Sequence, residues 1–378
     1  MLSDAESVPQ SRRARVGILG AGFISDFHIR ALKPLAGVDL AAVCDVDLAR
    51  AQELGTKWGI PHTFDRIEDL IASGIDVVHV LVPPAFHARA AIACLRGGCH
   101  VLVEKPMATT ATECREMEAA AARYGRKLAV NHNLTFDPAF LRLVSEVRDR
   151  RLGTIEHVTA CVNVPLRQLT AGQHDHWMFR SPGNIILELG PHPLSQIQYL
   201  LGTINRVQAM AAGEVTLRSG SRFYNTWQIS LECERGTAQC FLSFGRDQMD
   251  TWLHAVGQDG TAWLDLRRNV VLFSGKTRFL DPIDRVHHAL SQARSQASQG
   301  LRNLSGYACT FLKIRPTSDS FALGFTGAIG AFYDSVLRDL PLPESMVQGR
   351  SLIETCESIV AQSGVLRADQ EVMHAPAQ

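Results

Sequence analysis

Arg15-Val16-Gly17-Ile18-Leu19-Gly20-Ala21-Gly22-Phe23-Ile24-Ser25 is a strand-like run that ends in two glycines and continues as an amphipathic helix pattern over Phe23–Leu32. The first glycine permits a tight turn. The second lets the backbone approach a pyrophosphate at the helix N-terminus, where unsatisfied N–H groups favour an anion. The third position of such turns governs helix–strand packing, and the small Ser25 stands there in place of glycine. Glycines can serve packing alone, but a strand before and a helix after favour a dinucleotide. Gly20, Gly22, Phe23 and Ile24 are therefore expected to touch a cofactor.

The alternation continues outward from this turn. Strands are expected at Arg15–Leu19, Asp39–Cys44, Val77–Val82, His100–Val103 and Lys127–Val130. Helices are expected at Phe23–Leu32, Asp47–Trp58, Ile67–Ser73, Ala85–Arg96 and Thr109–Tyr124. Asp76-Val77-Val78-His79-Val80-Leu81-Val82 is almost continuously apolar, as suits a strand covered on both faces. Such alternation means an α/β Rossmann domain with a doubly wound parallel sheet. Asp45 closes the second strand, where a carboxylate accepts from both ribose hydroxyls and repels a 2′-phosphate. The next residues are Val46 and Asp47, not arginine, so NAD is favoured over NADP. Asp45 or Asp47 can equally cap the following helix.

The pattern changes after about residue 130. A helix is expected over Phe136–Arg150, then strands near Ile155–Val164, Arg206–Leu217, Thr226–Cys233, Thr237–Phe244, Thr251–Val256, Thr261–Leu266 and Val270–Phe273. Short turns such as Glu234-Arg235-Gly236 imply antiparallel pairing. This half is expected to be an α+β domain with a large, mostly antiparallel open sheet. Residues 281–320, rich in Ala, Ser, Gln and Arg, interrupt it as a helical or mobile excursion, before helical patterns at Phe321–Leu337 and Leu352–Leu366. The domains are then a disordered leader 1–13, a dinucleotide-binding domain 14–131, a substrate and association domain 132–345, and a C-terminal helix and tail 346–378.

Composition excludes several classes. Thirty-eight basic residues balance 38 acidic ones, so nothing favours nucleic acid or an anionic membrane. Nine scattered cysteines without a CxxC read as reduced thiols in a reducing compartment. Ser11-Arg12-Arg13 raises the question of a twin-arginine export signal, but the short apolar run Val16–Ala21 leads straight into the glycine turn. No segment approaches ~18 consecutive apolar residues. A cytoplasmic protein is expected.

Two further stretches carry chemistry. Glu104-Lys105-Pro106 follows the strand His100–Val103. Alone it is a common surface turn, yet ligands of open parallel sheets bind at strand carboxyl ends. Glu188-Leu189-Gly190-Pro191-His192 opens a helix, since Pro191 suits a first turn and Leu194, Ile197 and Leu201 mark a buried face. A lone histidine at a helix start is often structural. Together with the glycine turn, the order of these motifs describes a dinucleotide with a lysine and a histidine converging on its reactive end.

The run Val82-Pro83-Pro84-Ala85-Phe86-His87 through Gly97-Gly98-Cys99-His100-Val101-Leu102-Val103-Glu104-Lys105-Pro106 resembles the Gfo/Idh/MocA oxidoreductase family, which includes glucose–fructose oxidoreductase and inositol dehydrogenase. The resemblance extends through Phe136-Asp137-Pro138, Gly183 to Gly202 and the sheet-rich second half. It implies that Lys105, often ahead of a cis proline, sits beside the nicotinamide and the substrate hydroxyl. It also implies cofactor contacts from Pro83, His87 and Glu104. The family usually has aspartate where this chain has Glu188, with the spacing to His192 kept.

The expected reaction is oxidation of a secondary hydroxyl of a sugar, nucleotide-sugar or polyol, with hydride passing to nicotinamide C4. His192 takes the hydroxyl proton, Lys105 stabilises the alkoxide or shuttles its proton, and Glu188 orients the lysine or grips a neighbouring hydroxyl. Either His192 or Lys105 can be the base. Asn131, His132, Asn133, Arg167, His176 and Trp177 are expected to line the substrate cleft. His174-Asp175-His176 is too local to favour a metal. A redox-assisted glycosidase and a non-catalytic sugar or NAD sensor are the competing classes; keeping Lys105 and His192 argues against the sensor. A homodimer or homotetramer is expected, with the open sheet as a natural association face.

Overall fold

The computed structural model describes residues 13–275, 277, 279–314 and 317–365. The expected leader up to residue 12, with Ser11-Arg12, and the tail beyond Val365 lie outside the described residues. The chain divides into two compact units. The first holds the residues up to Glu104 with Glu116–Ala129 and Ile329–Pro343, and the second holds Lys105–Arg115, Val130–Ala328 and the residues from Glu344 onward. Ile329–Pro343 thus joins the first unit, although its position in sequence suggests the second.

The first unit is built on β1 (Ala14–Leu19), β2 (Val38–Cys44), β3 (His62–Phe64), β4 (Val77–Val80), β5 (His100–Val103) and β6 (Leu128–Val130). Their order is β3-β2-β1-β4-β5-β6, and the pairs β3–β2, β2–β1, β1–β4 and β4–β5 are parallel. β3 has only three residues, too few to show a period in the sequence. The connecting helices are α1 (Ser25–Leu32), α2 (Leu48–Trp58), α3 (Ile67–Ala72), α4 (His87–Arg96) and α5 (Ala111–Tyr124). Local chemistry sets their ends. Asp47 caps α2 by accepting from Ala49 N at 3.1 Å, and Gly59, at φ 68°, closes it in the left-handed region. The switch in strand order falls between β1 and β4, where doubly wound sheets bind ligands.

The second unit begins its regular structure with α6 (Pro138–Arg148), capped by Asp137, which accepts from Ala139 N at 2.8 Å and Phe140 N at 3.3 Å. Its sheet comprises β7 (Ile155–Val164), β8 (Ile204–Thr216), β9 (Arg222–Cys233), β10 (Gly236–Phe244), β11 (Asp250–Gly257), β12 (Gly260–Asp265) and β13 (Val270–Gly275). The order is β13-β12-β11-β7-β10-β9-β8. All its pairs are antiparallel except β7–β10, which the long return from β7 makes parallel. β9 shows why one face is covered: Trp227, Ile229, Leu231 and Cys233 are buried and alternate with exposed Gln228, Ser230 and Glu232. The helices of this region are α7 (Arg167–Ala171), α8 (Asn184–Leu189), α9 (Pro191–Leu201), α10 (Asp281–Phe311), α11 (Ser320–Leu337), α12 (Glu344–Val347) and α13 (Gly349–Gln362). Leu194, Ile197 and Leu201 of α9 enter the core with Leu352, Cys356 and Ile359 of α13.

The excursion at 281–320 is chiefly one helix, α10, of 31 residues. Among the described residues α11 alone is long and apolar enough to cross a membrane by length and composition. The sequence reading passes it over because glycine, serine and threonine interrupt its apolar run. Several of its large residues, among them Phe325, Ile329 and Phe332, are buried. All nine cysteines are free thiols and seven are buried. Burial pushes the Cys44 thiol up to about 12 and the Cys99 thiol up to about 11.

Candidate active site

In the first unit, the turn between β1 and α1 has the features of an anion cradle. Gly20 sits at φ +105°, and a Cβ there would come within 2.6 Å of the Leu81 carbonyl oxygen, so only glycine fits. Gly22 differs: a Cβ would meet nothing nearer than Arg50 Nη2 at 3.9 Å, which leaves its backbone open to a ligand. No side chain caps α1, so its N–H groups keep their affinity for negative charge. Ser25 Oγ donates to Gly22 O at 2.5 Å, a closure a glycine at this position lacks. Phe23, Val46 and Phe86, all apolar and all exposed, follow the carboxyl ends of β1, β2 and β4. These residues fit a dinucleotide.

Asp45 lies at the end of β2 with Oδ2 accepting from Ala21 N at 2.7 Å and Oδ1 from Asp47 N at 3.0 Å. It braces the turn and brings a negative charge to it. Arg50, which the sequence reading does not single out, donates to Ala21 O at 3.2 Å. Its signal was a cation in the first turn of α2. Pro83 precedes the short turn Pro84–Phe86, and His87 is buried, its Nε2 bonded to Val82 O at 2.7 Å. That bond fixes the loop after β4 from within.

Glu104 is also buried, and it ends a line of polar groups inside the first unit. His28 Nε2 lies 2.7 Å from Glu104 Oε1, His28 Nδ1 lies 2.7 Å from His79 Nδ1, and His79 Nε2 lies 3.0 Å from Tyr333 Oη. Two facing Nδ1 atoms require one donor and one acceptor. With Glu104 ionised and one proton on each imidazole, every bond is satisfied in one direction: Tyr333 donates to His79, His79 to His28, and His28 to Glu104. Burial, then the neighbouring His28, holds His79 well below the usual imidazole range. The available signal was His79, a polar residue at the middle of an otherwise apolar strand.

The second unit holds Lys105, Glu188 and His192, the three residues expected from the sequence to react. The Lys105–Pro106 peptide is cis. Lys105 Nζ donates to Glu188 Oε1 at 2.8 Å and to the Glu188 carbonyl oxygen at 2.9 Å. Glu188 Oε2 accepts from Trp177 Nε1 at 2.8 Å, and Trp177 O in turn accepts from Asn184 Nδ2 at 2.9 Å. Burial raises the Glu188 carboxyl, but the Lys105 ammonium outweighs it, with help from His176 and Trp177, and holds the group below its usual range. His192 occupies the first turn of α9. Burial first, then Lys105 and His132, press its imidazole well below the usual range. Among the described residues neither of its ring nitrogens is hydrogen-bonded.

Asn131, His132 and Asn133 are buried just after β6, and Asn133 Nδ2 has no hydrogen-bond partner among the described residues. His176 is exposed, with Nδ1 accepting from Met178 N at 3.4 Å, and Arg167 is exposed at the start of α7. His174 packs its ring against Phe179 at 5.3 Å. The described residues hold no group of three or more metal-ligating side chains.

A glycine turn at the switch point of a β3-β2-β1-β4-β5-β6 parallel sheet, with an acidic residue closing β2, defines a dinucleotide-binding protein. Residues 14–132 match the model of an oxidoreductase family with an NAD-binding Rossmann fold, and residues 140–263 match the GFO/IDH/MocA C-terminal domain. The chain belongs to the Gfo/Idh/MocA oxidoreductase family.

It is 30% identical over 231 residues to the D-glucoside 3-dehydrogenase of Escherichia coli (strain K12), a stretch covering 59% of this chain and 64% of that protein. It is 28% identical over 206 residues to a glycosyl hydrolase family 109 protein of Shewanella pealeana, covering 50% of this chain and 45% of that one. The fold is shared with the WlbA dehydrogenase of Bordetella pertussis, solved with NADH and UDP-GlcNAcA, at a TM-score of 0.71 and 19% identity over 94% of this chain and 96% of that one.

Proposed function

We propose that the protein oxidises a secondary hydroxyl of a sugar, nucleotide-sugar or polyol. The observation that carries this reading is the grouping of His192, whose imidazole burial presses well below its usual range, with the ammonium–carboxylate pair of Lys105 and Glu188. NAD, when bound, supplies the hydride-accepting ring. The chain's own residues handle the proton. His192 enters the reaction unprotonated and accepts the hydroxyl proton on a ring nitrogen. Lys105 keeps its positive charge near the oxygen as that proton leaves, which stabilises the developing alkoxide. Glu188, gripping the ammonium through both its carboxylate and its carbonyl oxygen, fixes where that charge points. Asn131, His132, Asn133 and Trp177 line the substrate, with Arg167 and His176 as outer contacts.

NAD rather than NADP is proposed because the Asp45 carboxylate opposes a 2′-phosphate. Arg50 is the residue that pulls the other way, so both cofactors belong in the assay. The glycosyl hydrolase family 109 relative supports a second reading, a glycosidase that uses the same redox step transiently.

The test is incubation of the protein with NAD⁺ or NADP⁺ and a panel of polyols, free sugars and nucleotide-sugars, following NADH fluorescence beside a Lys105→Ala control. Reduction with one substrate class, reduced at least ~100-fold in the control, is the expected outcome. Release of an aglycone from a glycoside without net NADH would replace it with the second reading.

A further inference from the structure

α10 is amphipathic in the reverse sense. Its residues turned toward its own unit are polar or glycine: Gln292 Nε2 donates to Ser274 Oγ at 2.6 Å, and Asn303 Nδ2 to Arg268 O at 2.8 Å. Gln299 accepts from Val271 N at 3.0 Å and donates to Val271 O at 2.8 Å, and so occupies a backbone pair of the edge strand β13. The opposite face is apolar and lies in water. Ile283, Val286 and Leu290 precede a centre of Ala293 and Ala297, and Leu301, Leu304, Ala308 and Phe311 follow it, in steps of three and four residues. Leu290 is 66% exposed, Leu301 68% and Phe311 88%. Such a seam is the pattern by which one helix packs along another.

We infer that this face pairs α10 with α10 of a second copy of the chain, antiparallel, about a two-fold axis near Ser295 and Gln296. The order of residues supports a second copy over an unrelated protein. Reflected about the midpoint of Ser295 and Gln296, Leu290 falls on Leu301 and Leu280 on Phe311, while Val286 and Ile283 fall one residue from Leu304 and Tyr307. An isologous contact needs this self-complementarity, whereas a different partner does not. The small side chains at the centre, with Gly300 beside them, let the two helices approach closely where they cross. Charge favours the antiparallel sense. It brings the acidic start of α10, at Asp281, within about a turn of the basic Lys313 beyond its far end, where a parallel pair would stack Asp281 on Asp281.

The area suffices. Ten large, half- to mostly exposed apolar side chains from Phe279 to Leu312 expose on the order of 1,000 Å² per copy, against roughly 800 Å² per partner in a stable complex and 300–600 Å² for the largest patch of an ordinary monomer. The helix is about 46 Å long, enough to spread that contact over both halves. The polar face is already engaged with β13, and the helix carries only three arginines and no lysine against two aspartates, a weak basic charge beside that of helices that lie on anionic membranes.

The full chain tests this in two ways. Leu290→Cys and Leu301→Cys variants, mixed and oxidised with copper phenanthroline, are expected to give a cross-linked pair, while neither variant alone does so beyond the wild-type background. Residues that face each other come within disulfide reach, and residues eleven positions apart along the helix axis, about 16 Å, do not. Second, Leu290→Glu with Leu301→Glu is expected to halve the mass of the assembly in sedimentation equilibrium, with an unchanged circular dichroism spectrum and melting temperature showing that the chain still folds. Self-cross-linking of either single-cysteine variant would show a parallel pair and overturn the inference. So would a mass indifferent to the two glutamates, or flotation with anionic vesicles that those glutamates abolish without any change of mass.

Discussion

Glu188 Oε1 receives the Lys105 ammonium at 2.8 Å while its Oε2 receives the Trp177 indole at 2.8 Å. Both partners of the ion pair are mostly buried, with side-chain exposures of 14% for Lys105 and 20% for Glu188. Removing one partner therefore leaves a buried charge uncompensated. Lys105→Met is expected to cost about 3 kcal/mol in chemical denaturation, with part of it recovered when Glu188→Gln is added. The same variant reports on His192. Loss of the ammonium withdraws one of the causes that depress the imidazole, so its pKa rises toward the usual value, which an NMR titration of labelled histidine measures directly. An unmoved titration would assign the depression to burial and His132 alone. The residue types of this cluster were legible in the sequence as Glu-Lys-Pro and Glu-x-x-x-His. The Trp177 bond was not, because an indole eleven residues before Glu188 has no spacing rule that couples it to a carboxylate.

At the scale of elements, the strands and helices around the glycine turn follow from local signals: alternation of apolar runs, Asp47 as a cap, Gly59 as a stop. β3 escaped because three residues carry no period, and α10 was readable as helical or mobile but not as to which face it buries. An apolar stripe ordinarily marks the inward side. Here the edge of β13 needed hydrogen bonds, and glutamine and asparagine supply them. Gln299→Ala is expected to strand the Val271 N–H and C=O and cost about 1–3 kcal/mol in chemical denaturation. It also uncovers part of an edge strand, so light scattering on warming should show earlier aggregation than for the wild type. A variant as stable and as soluble as the parent would mean that water serves β13 as well as Gln299 does.

Across the whole molecule, stability should depend on pH mainly through two buried imidazoles; His100 and His254, also lowered by burial, add to the same trend, and Asp137, pushed up by burial to about 6, opposes it below that pH. His79 and His192 are both held well below the usual range in the folded chain. In the unfolded chain each takes up a proton as pH falls through about 6.5. The unfolded state then binds more protons than the folded one, so stability declines from about pH 7 downward, by up to ~1.4 kcal/mol per pH unit for each histidine. Denaturation midpoints measured between neutral pH and pH 5 check this, and His79→Gln should flatten the slope. The family and its two-part organisation were legible because the motifs are contiguous in sequence. The line from Tyr333 to Glu104 was not, since Tyr333 joins His79 across 254 residues and no local pattern foretells that bond.

That buried line has one more consequence, and it concerns time. The protons between His79 and His28, and between His28 and Glu104, sit on ring nitrogens sealed inside the first unit, whose four contributing side chains come from α1, β4, the end of β5 and α11. Ring N–H groups in water trade their hydrogens too fast to follow, but these can be replaced by deuterium only when those elements part. Their far-downfield NMR lines would fade at the rate at which the cofactor-binding unit opens, so the molecule carries its own clock for that opening.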